Sequence, residues 1–224
     1  MRSTITVIAV LVAVLSCGTP AIAQGQPGTP APKMPVWDAG GSIGFHWASE
    51  SALGESERPY WLAQGEYRLD FGRYLTPHLK AELGFSTTSE WHRYDQESFP
   101  VAGLRGGGFA YTERTLRLNI FSPAVTYQFL DNSLMHPYVT GGMRINVLRE
   151  RRFRDQTTYR VSGVSYPVPA IDEDRTTTTV HPFVAAGCKS YLTSHTFVRS
   201  EALVAFGRSG STHGALRLGF GVDF

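Results

Sequence analysis

An all-β protein, folded as a closed antiparallel eight-stranded transmembrane β-barrel, is what the residue pattern of this chain predicts. The last nine residues carry much of that prediction. Leu216, Leu218, Phe220, Val222 and Phe224 are apolar at every second position, with Arg217, Gly219, Gly221 and Asp223 between them. Side chains of a strand point alternately to its two faces, so this segment has one greasy face and one that can hold charge. The run Trp61, Ala63, Gly65, Tyr67, Leu69, Phe71 repeats the pattern against Gln64, Glu66, Arg68 and Asp70. A row of charges opposite a row of apolar residues suits a wall with lipid outside and a polar lumen inside. Connections between such runs also alternate between long and short, as short periplasmic turns and long extracellular loops do.

The amino-terminal segment reads as an export signal. Met1-Arg2 is a short positive region, Ile5 to Leu15 is an apolar run, and Ala21-Ile22-Ala23 has the small-x-small pattern of a signal-peptidase site. The run is shorter than the roughly 20 residues that a permanent helical span needs. Residues 1–23 are therefore expected to be removed. Leu15-Ser16-Cys17-Gly18 loosely resembles a lipobox, with Leu poorly suited directly before Ser, and lipidation at Cys17 is the competing expectation. Residues 24–35, dense in Gly and Pro, form a linker, and residues 36–224 form the barrel domain.

The strands follow in order. Ile43, Phe45 and Trp47 alternate with Ser42, Gly44 and His46; Ala48–Pro59 is a loop; the second strand starts at Trp61. The turn Tyr74 to His78 leads to Leu79, Ala81, Leu83 and Phe85 against Lys80, Glu82 and Gly84. Ser86 to about Thr112, polar and Gly-rich, reads as a long loop. In the fourth strand Leu116, Leu118 and Ile120 are expected outward and Arg117 and Asn119 inward. A phase slip at Phe121-Ser122-Pro123 is then expected, because a proline removes a ladder hydrogen bond and a bulge accommodates it. Beyond it Val125, Tyr127 and Phe129 carry the apolar face.

The fifth strand puts Val139, Gly141, Met143, Ile145 and Val147 outward, with Thr140, Gly142, Arg144 and Asn146 inward. A polar loop from Arg149 to about Arg175 follows. The sixth strand, Thr176 to Leu192, has a phase blurred by Pro182. After Thr193-Ser194-His195, the seventh turns Val198, Ala202, Val204 and Phe206 outward and Arg199 and Glu201 inward. The closing strand is the eighth. Aromatic residues gather near strand ends, Phe71, Tyr74, Tyr127, Phe129, Tyr138 and Tyr191 toward the turns and Trp47, Trp61 and Phe206 toward the loops. Two such bands are what interfacial girdles look like.

Composition narrows the function classes. Without Arg2 the chain has 20 basic and 19 acidic residues, so nothing marks it as a nucleic-acid binder. Without Cys17 only Cys188 remains, which excludes an intramolecular disulfide.

Strand pattern, loop alternation and the terminal Phe make the chain resemble the small eight-stranded outer-membrane barrels, such as the transmembrane domain of outer membrane protein A and outer membrane proteins X and W. The resemblance implies location in the outer membrane of a Gram-negative-type bacterium after export, and a monomer surrounded by outer-membrane lipid and lipopolysaccharide. It also implies that Phe220, Val222 and Phe224 belong to the signal read by the barrel-assembly machinery. It carries no activity, because one fold hosts many functions. A soluble calycin-type barrel, with its apolar face inside, is the rival fold.

Candidate functional residues fall in three places. Glu66, Arg68, Asp70, Lys80, Glu82, Arg117, Arg144, Arg199, Glu201 and Arg217 are expected to project into the lumen. An eight-stranded barrel is just wide enough for side chains to fill it. Unpaired buried charge is costly, so these residues are expected to close the lumen as a salt-bridged plug that stabilises the barrel; the alternative is a narrow, porin-like solute channel. In the third long loop Arg149, Arg151, Arg152, Arg154, Arg160 and Arg175 are interleaved with Glu150, Asp155, Asp172, Glu173 and Asp174. Arginine forks there suit lipopolysaccharide phosphates, while internal neutralisation by the acids is the plainer expectation. Ser211, His213 and Glu201 form the one loose Ser/His/Glu grouping, but no spacing demands catalysis, and a non-enzymatic barrel is expected. No metal-ligand spacing appears, and no cofactor is implied. A structural or surface-interaction role is the resulting expectation, with a lipid A-modifying enzyme the least favoured.

Overall fold

A computed structural model describes residues 36–49, 61–100, 108–129, 134–161, 163–207 and 212–224. The expected signal and linker, with Cys17, lie outside the described residues, as does Ser211. Among the described residues eleven strands occur in chain order: β1 Trp37–Ser49, β2 Trp61–Tyr74, β3 Leu79–Thr88, β4 Trp91–Phe99, β5 Gly108–Gln128, β6 Met135–Arg154, β7 Thr157–Val161, β8 Val164–Val168, β9 Ile171–Tyr191, β10 Thr196–Phe206 and β11 Thr212–Asp223. Among the described residues none is helical.

The first of two units comprises the residues up to Thr88, Asn119–Asn146 and Thr179–Phe224. It is the closed antiparallel barrel of eight strands, in the order β1-β2-β3-β5-β6-β9-β10-β11 and back to β1. The closing seam runs from Asp38↔Asp223 to Ala48↔His213. Phe224 continues it: its amide donates to the Trp37 carbonyl, and its own carbonyl accepts from Trp37, both at 2.9 Å. The chain end is thus held in the ladder.

The barrel is apolar outside. Ile43, Leu69 and Leu218 are 64, 67 and 59 % exposed, and Phe45, Tyr67, Phe85, Val125, Val184, Phe220 and Val222 lie on the same wall. In water a belt of this extent would far exceed the few hundred Å² of apolar patch that soluble monomers expose. In lipid it is the favoured surface, and the ladder closes through all eight strands described in this unit. This overturns the soluble calycin-type rival, whose apolar face would be inside. Glycine fits the wall where a side chain inside needs room: a Cβ on Gly84 would collide with the Arg68 guanidinium, and one on Gly187 with the Tyr138 ring.

The second unit comprises Ser89–Leu118 and Val147–Thr178. The stretches expected to be loops are largely strand. β4 pairs with the first half of β5, from Trp91↔Leu116 to Phe99↔Gly108, and β7 with β8 forms a hairpin that turns at Gly163, whose φ of 80° suits glycine. β4 has no apolar face, since both its faces are partly exposed and polar, so hydropathy alternation could not reveal it.

Two further expectations are corrected. β5 alternates without interruption, so there is no phase slip and no bulge at Pro123. Leu116, Leu118 and Ile120 point inward, at 1, 3 and 0 % exposure, and Arg117 points outward, away from the lumen set to which it was expected to belong. Tyr74 and Tyr138 are likewise buried inside, and Tyr191 reaches inward to Asp223, so none of the three joins the girdle.

Candidate functional site

Alternation along β1, β2, β3, β6, β9, β10 and β11 delivers twelve charged side chains to the barrel interior. Six are acids, Asp38, Glu66, Asp70, Glu82, Glu201 and Asp223, and six are bases, Arg68, Lys80, Arg144, Lys189, Arg199 and Arg217, all buried. Of the ten lumen residues expected from the sequence, nine are there and Arg117 is not. Asp223 lies on the face of the closing strand that the sequence reads as able to hold charge, whereas Asp38 and Lys189 each lie beyond the stretch in which their strand shows clear alternation.

The pairs form two clusters. Nearest the turns, Lys189 Nζ donates to Asp223 at 2.6 Å and to the Tyr74 hydroxyl at 2.7 Å, while Tyr191 donates to the other Asp223 oxygen. Lys80 lies 2.7 Å from both Asp38 and Glu82. Glu82 also accepts from Arg199 at 3.3 Å and Arg68 at 3.5 Å, and both arginines pair with Asp70. Arg217 then joins Glu66, at 2.8 Å, to Glu201, at 2.6 Å, and Tyr138 donates to Glu201 at 3.1 Å. Buried ions are stable only when paired and hydrogen-bonded, and most of these are. Glu201 is therefore occupied, and the Ser/His/Glu grouping is not assembled among the described residues.

Toward the other end of the same strands the lining changes. His46, His181 and His213, from β1, β9 and β11, cluster with ring centroids 5.7 Å apart for His46–His213 and 4.9 Å for His181–His213. Sequence separation hid this group. Phe183, Leu203, Ala205 and Ala215 form a small apolar patch of the interior.

The second unit carries its own charges. Arg151 pairs with Asp172 at 3.2 Å, Arg154 with Glu97 at 3.1 Å, Arg152 with Glu97 and with Glu173, and Arg114 with Glu150 at 2.6 Å. Arg160 bonds Ser165. The acids thus neutralise much of the expected basic cluster. A cleft of about 680 Å³ remains on this unit, with Arg117, Arg149 and Arg175 on its walls beside Glu90, His92 and Glu113.

Burial pushes the Glu97 carboxyl up, but the hydrogen bond and charge of Arg152, with help from Thr112 and Arg154, outweigh it and hold the group below the usual range. Its folded value is below its unfolded one. Its stabilisation is therefore present above the ordinary glutamate range of about 4.3 and is lost as pH falls through the depressed value. Hydrogen exchange, corrected for intrinsic rate, should show β4 losing protection as pH falls below about 4.3 and through the depressed value. A Glu97→Gln variant should lack that step; an unchanged profile would exclude Glu97 as its source.

No model of a known protein family matches the chain, and no curated protein matches its sequence. Solved structures do resemble it. Neisserial surface protein A superposes with a TM-score of 0.52 at 13 % identity, over 84 % of this chain and 97 % of that one. The attachment invasion locus protein of Yersinia pestis, crystallised with the heparin analogue sucrose octasulfate, gives 0.48 at 14 %, over 84 and 99 %. The N-terminal β-barrel domain of Pseudomonas aeruginosa OprF gives 0.47 at 15 %, over 85 and 98 %. At these identities the likeness speaks for fold alone, and the fold is that of the small eight-stranded outer-membrane β-barrels.

Proposed function

We propose that this protein is a monomeric outer-membrane barrel with a structural and surface-interaction role, its lumen closed to the passage of solutes and without catalytic activity. The balanced set of six buried acids and six buried bases, all but Arg144 in close ion pairs, carries this reading. Ions held by two or three partners in so narrow a bore leave little path for a hydrated solute, and parting them would cost several kcal/mol per ion. Planar-bilayer recording tests it. The purified barrel should give no discrete conductance, and a reproducible channel that changes in Glu66→Ala would overturn the plug.

The surface then carries the function. In the second unit Arg117 on β5 and Arg149 and Arg151 on β6 are exposed. Exposed arginines suit the phosphates of lipopolysaccharide, which they can grip bidentately. An Arg117→Ala/Arg149→Ala variant should lose most of the thermal stabilisation that added lipopolysaccharide confers. Equal stabilisation of variant and parent would remove these residues from the contact. Phe220, Val222 and Phe224 are the residues proposed to be read by the barrel-assembly machinery.

A further inference from the structure

The interior ion pairs leave one guanidinium out. Arg144 is 0 % exposed, yet none of its three nitrogens has a hydrogen-bond partner among the described residues. Its nearest carboxylate oxygen, on Glu66, is 4.0 Å away and already accepts from Arg217 at 2.8 Å. Both ring nitrogens of His46 and of His213, each 1 % exposed, are also without partners. Arg144 acts electrostatically on both rings and on His181, which places these groups in one neighbourhood. An isolated buried charge and four orphaned imidazole nitrogens are costly unless something meets them.

Three imidazoles are often a metal site, but the guanidinium opposes a second cation. Among the described residues no group of His, Cys, Asp or Glu is disposed to hold a metal. Donors predominate here: a guanidinium offers five N–H groups and no acceptor, and each neutral imidazole has one N–H in either tautomer. His181 is tied differently, with Nδ1 3.3 Å from the Phe206 carbonyl and Nε2 3.0 Å from the Thr179 hydroxyl. We propose that Arg144, His46 and His213 form an internal binding site for a small oxyanion of carboxylate or phosphate type. The planar fork of Arg144 matches two oxygens of such a group, and the imidazole N–H groups complete the donor set.

The site takes up a proton with its anion. The six acids and six bases of the interior already balance, so a bound anion leaves a negative charge that protonation of one imidazole cancels. The groups facing His46 are Glu66 from β2, Arg144 from β6, and His213 and Arg217 from β11; those facing His213 are His46 from β1, Arg144, and His181 from β9. Apart from Glu66, already held by Arg217, no acid in this set competes for the proton. Oxyanion binding should therefore tighten as pH falls through the imidazole range.

The test is an NMR titration of the folded barrel in detergent with sodium formate and with inorganic phosphate, each against sodium chloride of equal ionic strength. The Arg144 Nε–H and the His46 and His213 ring signals should shift saturably, and more tightly at pH 6 than at pH 8. Arg144→Met should weaken binding at least tenfold, in line with the loss of a charge-assisted hydrogen bond. His213→Gln, which keeps Arg144, should weaken it less and flatten the pH dependence. Heat-modifiable gel migration checks that each variant folds. Ring signals that respond to Zn²⁺ but not to either oxyanion would make this a metal site and overturn the proposal. Signals that respond to nothing would also overturn it.

Discussion

Replacing Glu82 with alanine should lower the unfolding free energy of the barrel by about 3–5 kcal/mol, the cost of removing one partner from a buried ion pair. Glu82 is the hub of the plug, since Lys80, Arg68 and Arg199 all converge on it. Without it three cations share Asp38 and Asp70, with no water to screen their repulsion. Urea titration of the barrel in detergent, followed by heat-modifiable migration, measures the loss. Glu90→Ala is the control: its side chain is 52 % exposed and pairs only loosely with Arg117 at 3.7 Å. A surface pair of that kind contributes about 0–1 kcal/mol. Equal effects of the two substitutions would mean that the interior charges are hydrated and the lumen is open.

Leu218→Arg should destabilise the barrel in lipid vesicles by about 2–4 kcal/mol, the cost of an arginine facing the middle of a bilayer. Leu218 lies midway along the closing seam, paired with Ile43 on β1 and Ser200 on β10, and its side chain faces out. On a water-exposed wall the same substitution would fall within about 0.5 kcal/mol of neutral. Reversible urea unfolding from vesicles, read by tryptophan fluorescence, separates the two. A near-neutral result would contradict the lipid-facing assignment of β11.

The residues of β2, β3 and β11 are legible because one face is apolar and the other carries charge among small or polar residues. Glu66, Arg68 and Asp70 could go only inward once Tyr67, Leu69 and Phe71 were placed outward. β5 failed for the opposite reason. Its inward residues Leu116, Leu118 and Ile120 are apolar, as are its outward Phe121 and Val125, so period-two hydropathy had no sign. That ambiguity sent Arg117 to the wrong face and suggested a bulge that is absent. β4 is polar on both faces, and the β7–β8 hairpin, although Tyr159, Val164, Tyr166 and Val168 share one of its faces, has strands of only five residues each. Composition alone makes them look like loops. The Arg144–His46–His213 cluster draws on three strands far apart in sequence, and only the closed barrel brings it together.

The most direct test of the inside-out barrel is a nitroxide scan along β11 from Leu216 to Val222 in lipid vesicles, with Cys188 replaced by alanine. Collision with oxygen, which partitions into the bilayer, should peak at 216, 218, 220 and 222 and fall at 217, 219 and 221. A polar nickel chelate should be excluded throughout: from the even positions by lipid, from the odd ones by the plug. Nickel access at the odd positions would show a hydrated lumen. A flat oxygen profile would contradict the barrel's placement in the membrane.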